Sequence, residues 1–435
     1  MKQRAFRAFR SPVASPASLG ADFNRLWSAQ ALSQVAQNLL NFALIIRVFQ
    51  LAQGTRFANI SVALLILSFG VPSIFFAAAA GVYVDHWNKK VVLVTANFLR
   101  AFLVLGYLLV EHNLVLVLVL SFMISSITQF FAPAEAAAIP SLVKPNRLLR
   151  ANSLFVFTLY ASFIVGYSAS APVIAIVGPH GPYITASIFF LLAGVLVSFL
   201  PSIHVKESNG MPFAKVIRYT GHEILRNWEL IRTNHNLSFP ILQLTITQAC
   251  LGVLLALAPA LAIAVLHTPI QDTSQYLIIP AGAGMVAGVV AIGQLVKHYS
   301  KSRVIAVGLI VAAAALILLG LSDQLTRHLN HLAFGTVTEV GLTVACLVLI
   351  LGFMNAVVSA ASQTILQENT TDATRGKVYG ALNMMVNIAA TLPIFFAATI
   401  ADLTSVNAVI TSVGILLLVF AAGQYVWLRR HQKLA

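Results

Sequence analysis

The stretch Trp27-Ser-Ala-Gln30-Ala-Leu-Ser-Gln34-Val-Ala-Gln37-Asn38-Leu-Leu-Asn41-Phe-Ala-Leu-Ile-Ile-Arg47 decides the class of fold. As one helix rising about 1.5 Å per residue, it matches a hydrocarbon core of ~30 Å. Gln30, Gln34, Gln37, Asn38 and Asn41 recur on it at three- and four-residue spacing, so their amides share a face. Against acyl chains those donors and acceptors would be unpaired, and the face must turn to a packed interior or a polar cavity. The stretch therefore implies a bundle of membrane helices built around an inward surface.

The rest of the chain agrees. Of 435 residues, 59% are hydrophobic and 9% charged, with a mean hydropathy of +0.87, outside the range of soluble domains. Apolar runs predict twelve spans: 27–47, 58–82, 90–110, 114–135, 152–177, 183–203, 238–266, 275–296, 303–322, 340–366, 378–400 and 405–428. A membrane β-barrel would alternate apolar and polar residues, which Leu114 to Leu120 does not. The expectation is an all-α integral membrane protein with twelve transmembrane helices.

The net charge of +14 follows the loops between spans and not one face, which argues against nucleic acid as a partner. With the N-terminus in the cytoplasm, Arg47, Arg56 and Arg327 fall outside and Arg100 within a helix, leaving the other 23 of 27 Lys and Arg residues cytoplasmic. Both termini are then inside. No apolar run precedes the first span, so a cleavable secretory signal is not expected. Cys250 and Cys346 fall within spans seven and ten and imply no disulfide framework.

The longest polar stretch, His204 to Leu237, divides the spans six plus six. Within it Phe213, Val216, Ile217, Ile224, Leu225, Trp228 and Ile231 recur at helical spacing, predicting an amphipathic helix on the membrane surface. The domain expectation is a cytoplasmic tail (1–26), a first bundle (27–203), the linker (204–237), a second bundle (238–428) and a short cytoplasmic tail (429–435).

The halves repeat. Gly81, Asp85, His86 and Lys89 recur as Gly293, Lys297, His298 and Lys301, 212 residues on. Ser121, Ser125, Thr128 and Gln129 have the spacing of Asn355, Ser359, Ser362 and Gln363, offset by 234, and the extra length is assigned to an external loop from Asp323 to Glu339. Gln243 and Thr247 follow Gln30 and Gln34 by 213. Internal duplication with binding where the repeats meet is a sequence sign of a secondary transporter. Neither a phosphate-cradling glycine loop nor a metal-binding His or Cys cluster is present in the sequence, so no enzymatic activity, cofactor or metal is expected.

Gly81-Val-Tyr-Val-Asp85-His-Trp-Asn-Lys89-Lys90 resembles the signature between the second and third helices of the major facilitator superfamily, with His86 where arginine is usual. The stretches Pro133-Ala-Glu-Ala-Ala-Ala-Ile-Pro140 and Gln367-Glu-Asn-Thr-Thr-Asp-Ala-Thr-Arg375-Gly376-Lys377 resemble the branch containing macrolide-efflux and enterobactin-exporter proteins; the bacterial lysophospholipid transporter is also similar. The resemblance implies two pseudo-symmetric six-helix bundles that pivot about a midplane site, with helices one, four, seven and ten around the cavity. It also implies a conformational gate, in which Asp85, with Gly81, Lys89 and Lys90, faces the start of helix eleven at Arg375 and Gly376.

The spacing-derived stripes fall on those four helices. The expected cavity residues are Gln30, Gln34, Asn38, Asn41, Arg100, Ser121, Ser125, Gln129, Gln243, Thr247, Asn355, Ser359 and Gln363, with Asn383 and Asn387 as a further stripe. The competing reading is interhelical hydrogen bonding that holds the bundle together. Arg100 is open between an anionic ligand and a structural partner. Glu135 is a candidate proton site, or an ordinary interfacial charge. In helix five, Ala171-Pro172 departs from the glycine-proline pattern linked to antiporters, which leaves antiport unsupported by that motif. The expected function is export of an amphipathic or hydrophobic small molecule across a bacterial cytoplasmic membrane, with protons as a possible coupling partner, lipids around it and a monomeric state. The alternatives are lysophospholipid translocation between leaflets and a transport-inactive receptor.

Overall fold

The computed structural model describes residues 19–144, 147–203, 235–266, 273–330, 337–369 and 392–432. Every regular element among them is a helix. The first lobe comprises α1 (Ala21–Ala52), α2 (Ala58–His86), α3 (Lys89–Val110), α4 (Leu114–Leu142), α5 (Leu148–Val177) and α6 (Gly181–Ser198). The second begins with α7 (His235–Leu261), prolonged by the π-helical turn Ala262–Leu266, and α8 (Ile279–His298), entered through the π-helical turn Ser274–Ile278. It continues with α9 (Lys301–Asn330), α10 (Val337–Glu368), α11 (Leu392–Leu403) and α12 (Val406–Gln432). Among the described residues, ten helices are long and apolar enough to cross a membrane, and the apolar stretches Ala58–Ser73 and Leu392–Leu403 are shorter.

Local chemistry sets the ends. The Asn88 side chain accepts the Lys90 backbone N–H at 3.1 Å, and Asn113 does the same for Leu116 at 3.2 Å, capping α3 and α4. Gly178 closes α5 at φ +96°, a left-handed conformation that glycine adopts without strain. One expectation is corrected: the external loop assigned to Asp323–Glu339 is in large part helix, because α9 continues to Asn330 and α10 begins at Val337. No glycine or proline interrupts 323–330, so nothing in that sequence stops the helix. The amphipathic linker helix lies outside the described residues.

The two lobes pack by one plan. In the first, α2 lies on α4, and α3 lies on α4 and α6; in the second, α8 lies on α10, and α9 on α10 and α12. Each pairing recurs six helices later, which is the pseudo-symmetry the sequence offsets predict. Without a hydrophobic drive between helices in lipid, close backbone approach supplies the contact energy, and glycines mark those crossings. A Cβ on Gly166 of α5 would stand 2.6 Å from Asn38 Cβ and 2.9 Å from the Val35 carbonyl oxygen of α1. On α8, Gly284 abuts the Leu349 carbonyl of α10, and Gly352 of α10 abuts that of Ala281. The bundle's outer surface carries Leu109, Val290 and Leu416, each two-thirds exposed or more, as a lipid-facing surface requires.

The lobes touch where α5 meets α8 and where α2 and α1 meet α7. A further contact joins α2 to α11. Asp402 Oδ1 accepts the Asn59 backbone N–H at 3.0 Å and Asn59 Nδ2 at 2.7 Å, while Oδ2 accepts the Ile60 N–H at 2.9 Å. The first turn of any helix leaves backbone N–H groups without intrahelical partners and carries the positive end of its dipole. A carboxylate of the other lobe satisfies α2's start.

Candidate functional site

Polar side chains concentrate inside the first lobe, where they bond to one another. Arg100 on α3 is 2% exposed and donates from Nη2 to Ser33 Oγ of α1 at 3.0 Å and to Asn97 Oδ1 at 2.7 Å, and from Nε to the Ala96 carbonyl at 3.3 Å. Its guanidinium lies between the Phe131 and Phe190 rings, 4.3 and 4.6 Å from their centroids. Desolvated cation–π contacts of this kind contribute about 2 kcal/mol. Ser33 Oγ also donates to Asn97 Oδ1 at 3.2 Å, so one amide oxygen gathers two donors. Glu135 on α4 is buried and interacts electrostatically with Arg100, and among the described residues its Oε1 has no hydrogen-bond partner.

The other first-lobe residues expected in the cavity take several positions. Gln30 is buried and donates to the Phe155 carbonyl of α5 at 3.5 Å, its own carbonyl oxygen unpartnered among the described residues. Gln34, Asn38 and Asn41 are half-buried, and Asn41 accepts from Gln37 at 2.8 Å. Ser121 is held between α3 and α4 by the Tyr107 hydroxyl at 2.8 Å, and Ser125 donates to the Phe69 carbonyl of α2 at 2.6 Å. Gln129 donates back to the Ser125 carbonyl at 3.3 Å. These bonds are the packing role open to such side chains in membranes.

The second lobe differs. A cavity of about 120 Å³ is lined by α7, α8, α9 and α10, with Phe163 of α5 and Leu417 of α12. Its wall is Leu, Ile, Val, Ala, Met and Phe, broken by Thr247, Cys250 and Asn355. Thr247 Oγ1 donates to the Gln243 carbonyl of its own helix at 2.6 Å, and Asn355 Nδ2 reaches the Thr247 carbonyl at 3.4 Å. Gln243 Oε1 accepts from Ser362 Oγ at 3.0 Å, tying α7 to α10. Ser359 is half-buried, its hydroxyl unpartnered among the described residues, and Gln363 is exposed. Thr247 and Asn355 are thus the expected residues that this cavity brings together. Leu277 and Ile278 reach it from the π-helical turn, a local widening often found at functional sites.

At the expected gate, the Lys89 ammonium is buried and donates to the Val84 carbonyl at 2.6 Å and the Trp87 carbonyl at 3.1 Å, at the negative C-terminal end of α2. Lys90 is half-buried beside it. Gly81 and Asp85 belong to the backbone of α2, but their side chains, like Arg375, Gly376, Asn383 and Asn387, lie outside the described residues. Sequence reasoning missed Asp402 and Asn59, as well as Ser33, Asn97 and the two rings around Arg100. Asn97, three residues before an intramembrane arginine, was the one local signal.

Among the described residues, twelve helices in two lobes repeat one packing plan around a cavity between membrane helices, an architecture suited to a membrane transporter. The chain belongs to the Major Facilitator Superfamily, which it matches over residues 26–392. Among curated proteins it is 23% identical to the uncharacterized MFS-type transporter YfiS of Bacillus subtilis (strain 168), over 89% of each chain. It is 28% identical to YkuC, another uncharacterized MFS-type transporter of that strain, over 40% of this chain and 41% of that one. Among solved structures, the nucleoside transporter NupG (D323A mutant) superposes with a TM-score of 0.71 at 14% identity, covering 93% of this chain and 100% of that one. A bacterial homolog to the human lysosomal transporter Spinster, inward-facing and unoccupied, gives 0.71 at 11%, covering 93% and 97%. At such identities the likeness is one of fold. The chain is a transporter and not an enzyme.

Proposed function

We propose that the protein exports an amphipathic or hydrophobic small molecule across the bacterial cytoplasmic membrane by alternating access of its two lobes. The observation that carries this reading is the second-lobe cavity, apolar except for Thr247, Cys250 and Asn355. A sugar or nucleoside buried there would leave most of its hydroxyls without partners, at about 1–3 kcal/mol for each, whereas an apolar body with one or two polar atoms would not. Asp402 against α2 supports the alternating-access part, since it is a polar contact that a pivot of the lobes can make and break.

Glu135 is the proposed proton site: it is buried, one of its oxygens is unpartnered among the described residues, and its charge interacts with that of Arg100, which would feel its protonation. The gate at Asp85, Lys89, Lys90, Arg375 and Gly376 and the first-lobe amides remain proposed parts of the same device. The lipid-translocator reading would require Arg100 to meet a phosphate. Its guanidinium is instead enclosed by Ser33, Asn97, Phe131 and Phe190, which favours the uncharged, apolar cargo.

The test is transport in proteoliposomes against a panel of hydrophobic drugs and labelled lysolipids, with and without a pH gradient. Uptake of apolar drugs that Asn355→Leu weakens supports the reading. Movement of lysolipids alone, abolished by Arg100→Ala, replaces it with lipid translocation. Binding without turnover replaces it with a receptor.

A further inference from the structure

Cys250 of α7 and Leu417 of α12 each belong to two surfaces. They line the inner cavity, and they also line a groove of about 560 Å³ between α7, α11 and α12. The groove wall includes Ile246 and Val253 of α7, Phe396 and Ile400 of α11, and Val413 and Phe420 of α12. Its rim faces outward: Phe396 is 59%, Ile400 50% and Leu416 69% exposed, on a surface that meets acyl chains in a membrane. Close by, α7 and α11 are in tight contact, because Ile394 occupies the space a side chain on Gly252 would need. Cys250 and Leu417 are therefore the boundary that groove and cavity share.

The chemistry of the groove selects what it can hold. Its hydroxyls already donate: Thr404 Oγ1, just beyond α11, to the Ile400 carbonyl at 2.7 Å and Ser412 Oγ to the Ala408 carbonyl of its own helix at 2.7 Å. A polar group entering the groove would lose its water and gain no donor, whereas a hydrocarbon chain would exchange one apolar surface for another. Inside, Asn355 donates from Nδ2 to the Thr247 carbonyl, and its amide oxygen is of the kind that can accept from a polar atom that follows the chain.

We propose that this groove is a lateral portal, through which the hydrocarbon part of an amphipathic substrate passes between the bilayer and the second-lobe cavity, with Leu417 and Cys250 as the side-chain wall that swings aside. The portal rests on the reading of that cavity as the transport site, and adds to it that the substrate arrives from lipid and not from water. Turning two side chains displaces far less of the protein than a pivot of the lobes, so the wall can open without a change in the fold.

The experiment uses the full-length protein in proteoliposomes containing an uncharged long-chain fatty amide with a photoactivatable diazirine at the end of its hydrocarbon chain, with crosslinks mapped by mass spectrometry. In the natural sequence, crosslinks are expected on groove residues such as Phe396 and on cavity residues such as Leu254. Leu417→Trp is expected to keep groove labelling and lower cavity labelling about tenfold, as when binding must wait on a slow rearrangement. Leu417→Ala should raise cavity labelling, which a misfolded variant would not do. Leu418→Trp, beside the wall but outside it, should leave both unchanged. Equal cavity labelling in the natural and Leu417→Trp proteins, with drug transport intact, overturns the portal and leaves the cavity's transport role standing. Labelling confined to the groove in every variant, together with transport unaffected by Asn355→Leu, overturns both.

Discussion

Arg100 shows how a membrane protein accommodates a full charge. The ion could not remain bare in the bundle, and its surroundings supply hydrogen-bond acceptors on Ser33, Asn97 and Ala96 and two aromatic faces. Arg100→Ala is expected to destabilise the protein by about 3 kcal/mol, the loss typical when one member of a buried charged network is removed. Thermal unfolding in detergent measures it. Glu135 feels the same change, so Arg100→Ala and Glu135→Ala together should cost less than the sum of the two, with a coupling of about 1 kcal/mol or more. Additive losses would mean that the two groups do not sense each other. The sequence made the charge legible, because an arginine ten residues into an apolar run stands out. It left the partner open, because Ser33 reaches Arg100 only through the register of α1 on α3, and a register between helices distant in sequence has no local signature.

At the scale of the element, the apolar spans were legible, ten of them as helices long enough to cross a membrane among the described residues, because the hydrocarbon thickness fixes both length and apolarity; most of the expected span 378–400 lies outside the described residues. The helices overrun the predicted spans at most ends: α4 passes through Pro133 and continues to Leu142, and α1 begins at Ala21. What apolarity does not reveal is which faces touch. The α8–α10 crossing depends on Gly284 and Gly352, whose missing side chains let the backbones meet. Gly284→Leu is therefore expected to force the pair apart at about 1–3 kcal/mol, read as a lower unfolding temperature. Gly293, on the same helix, is the contrast. Nothing lies within 4 Å of where its Cβ would be, so Gly293→Ala should be neutral or stabilise by about 0.5–1 kcal/mol through backbone entropy alone. A destabilising Gly293→Ala would show that this position, the repeat of Gly81, meets a partner in another conformation.

For the whole molecule, the deciding contacts are those that hold the lobes at a given angle. Asp402 was not legible in advance, since one carboxylate at the end of an apolar helix is an ordinary boundary charge until α2 of the other lobe is brought to it. The contact closes the end that carries Arg47, Glu111 and His180, the end expected to face outside, where His180 Nε2 and Glu111 Oε1 lie 2.9 Å apart within the first lobe. That first-lobe cluster pins the helix ends of one lobe to each other and should travel with it as a unit. Asp402 alone among these groups bridges the lobes, so its loss should alter the angle between them and not the lobes themselves. Hydrogen bonds to a charged group contribute about 1.5–3 kcal/mol, and each 1.4 kcal/mol is a tenfold change in an equilibrium constant. Asp402→Ala should therefore move the population toward opening at that end by roughly ten- to a hundredfold. Spin labels on Thr55 and Ser405, one on each lobe, should report a longer distance by double electron–electron resonance, while the unfolding temperature changes little. Asp402→Asn keeps an acceptor for one N–H but loses the charge, and should fall between the two. An unchanged distance distribution in Asp402→Ala would mean that the packing of α5 on α8 and of α1 and α2 on α7 sets the angle, and that this carboxylate serves only to cap α2.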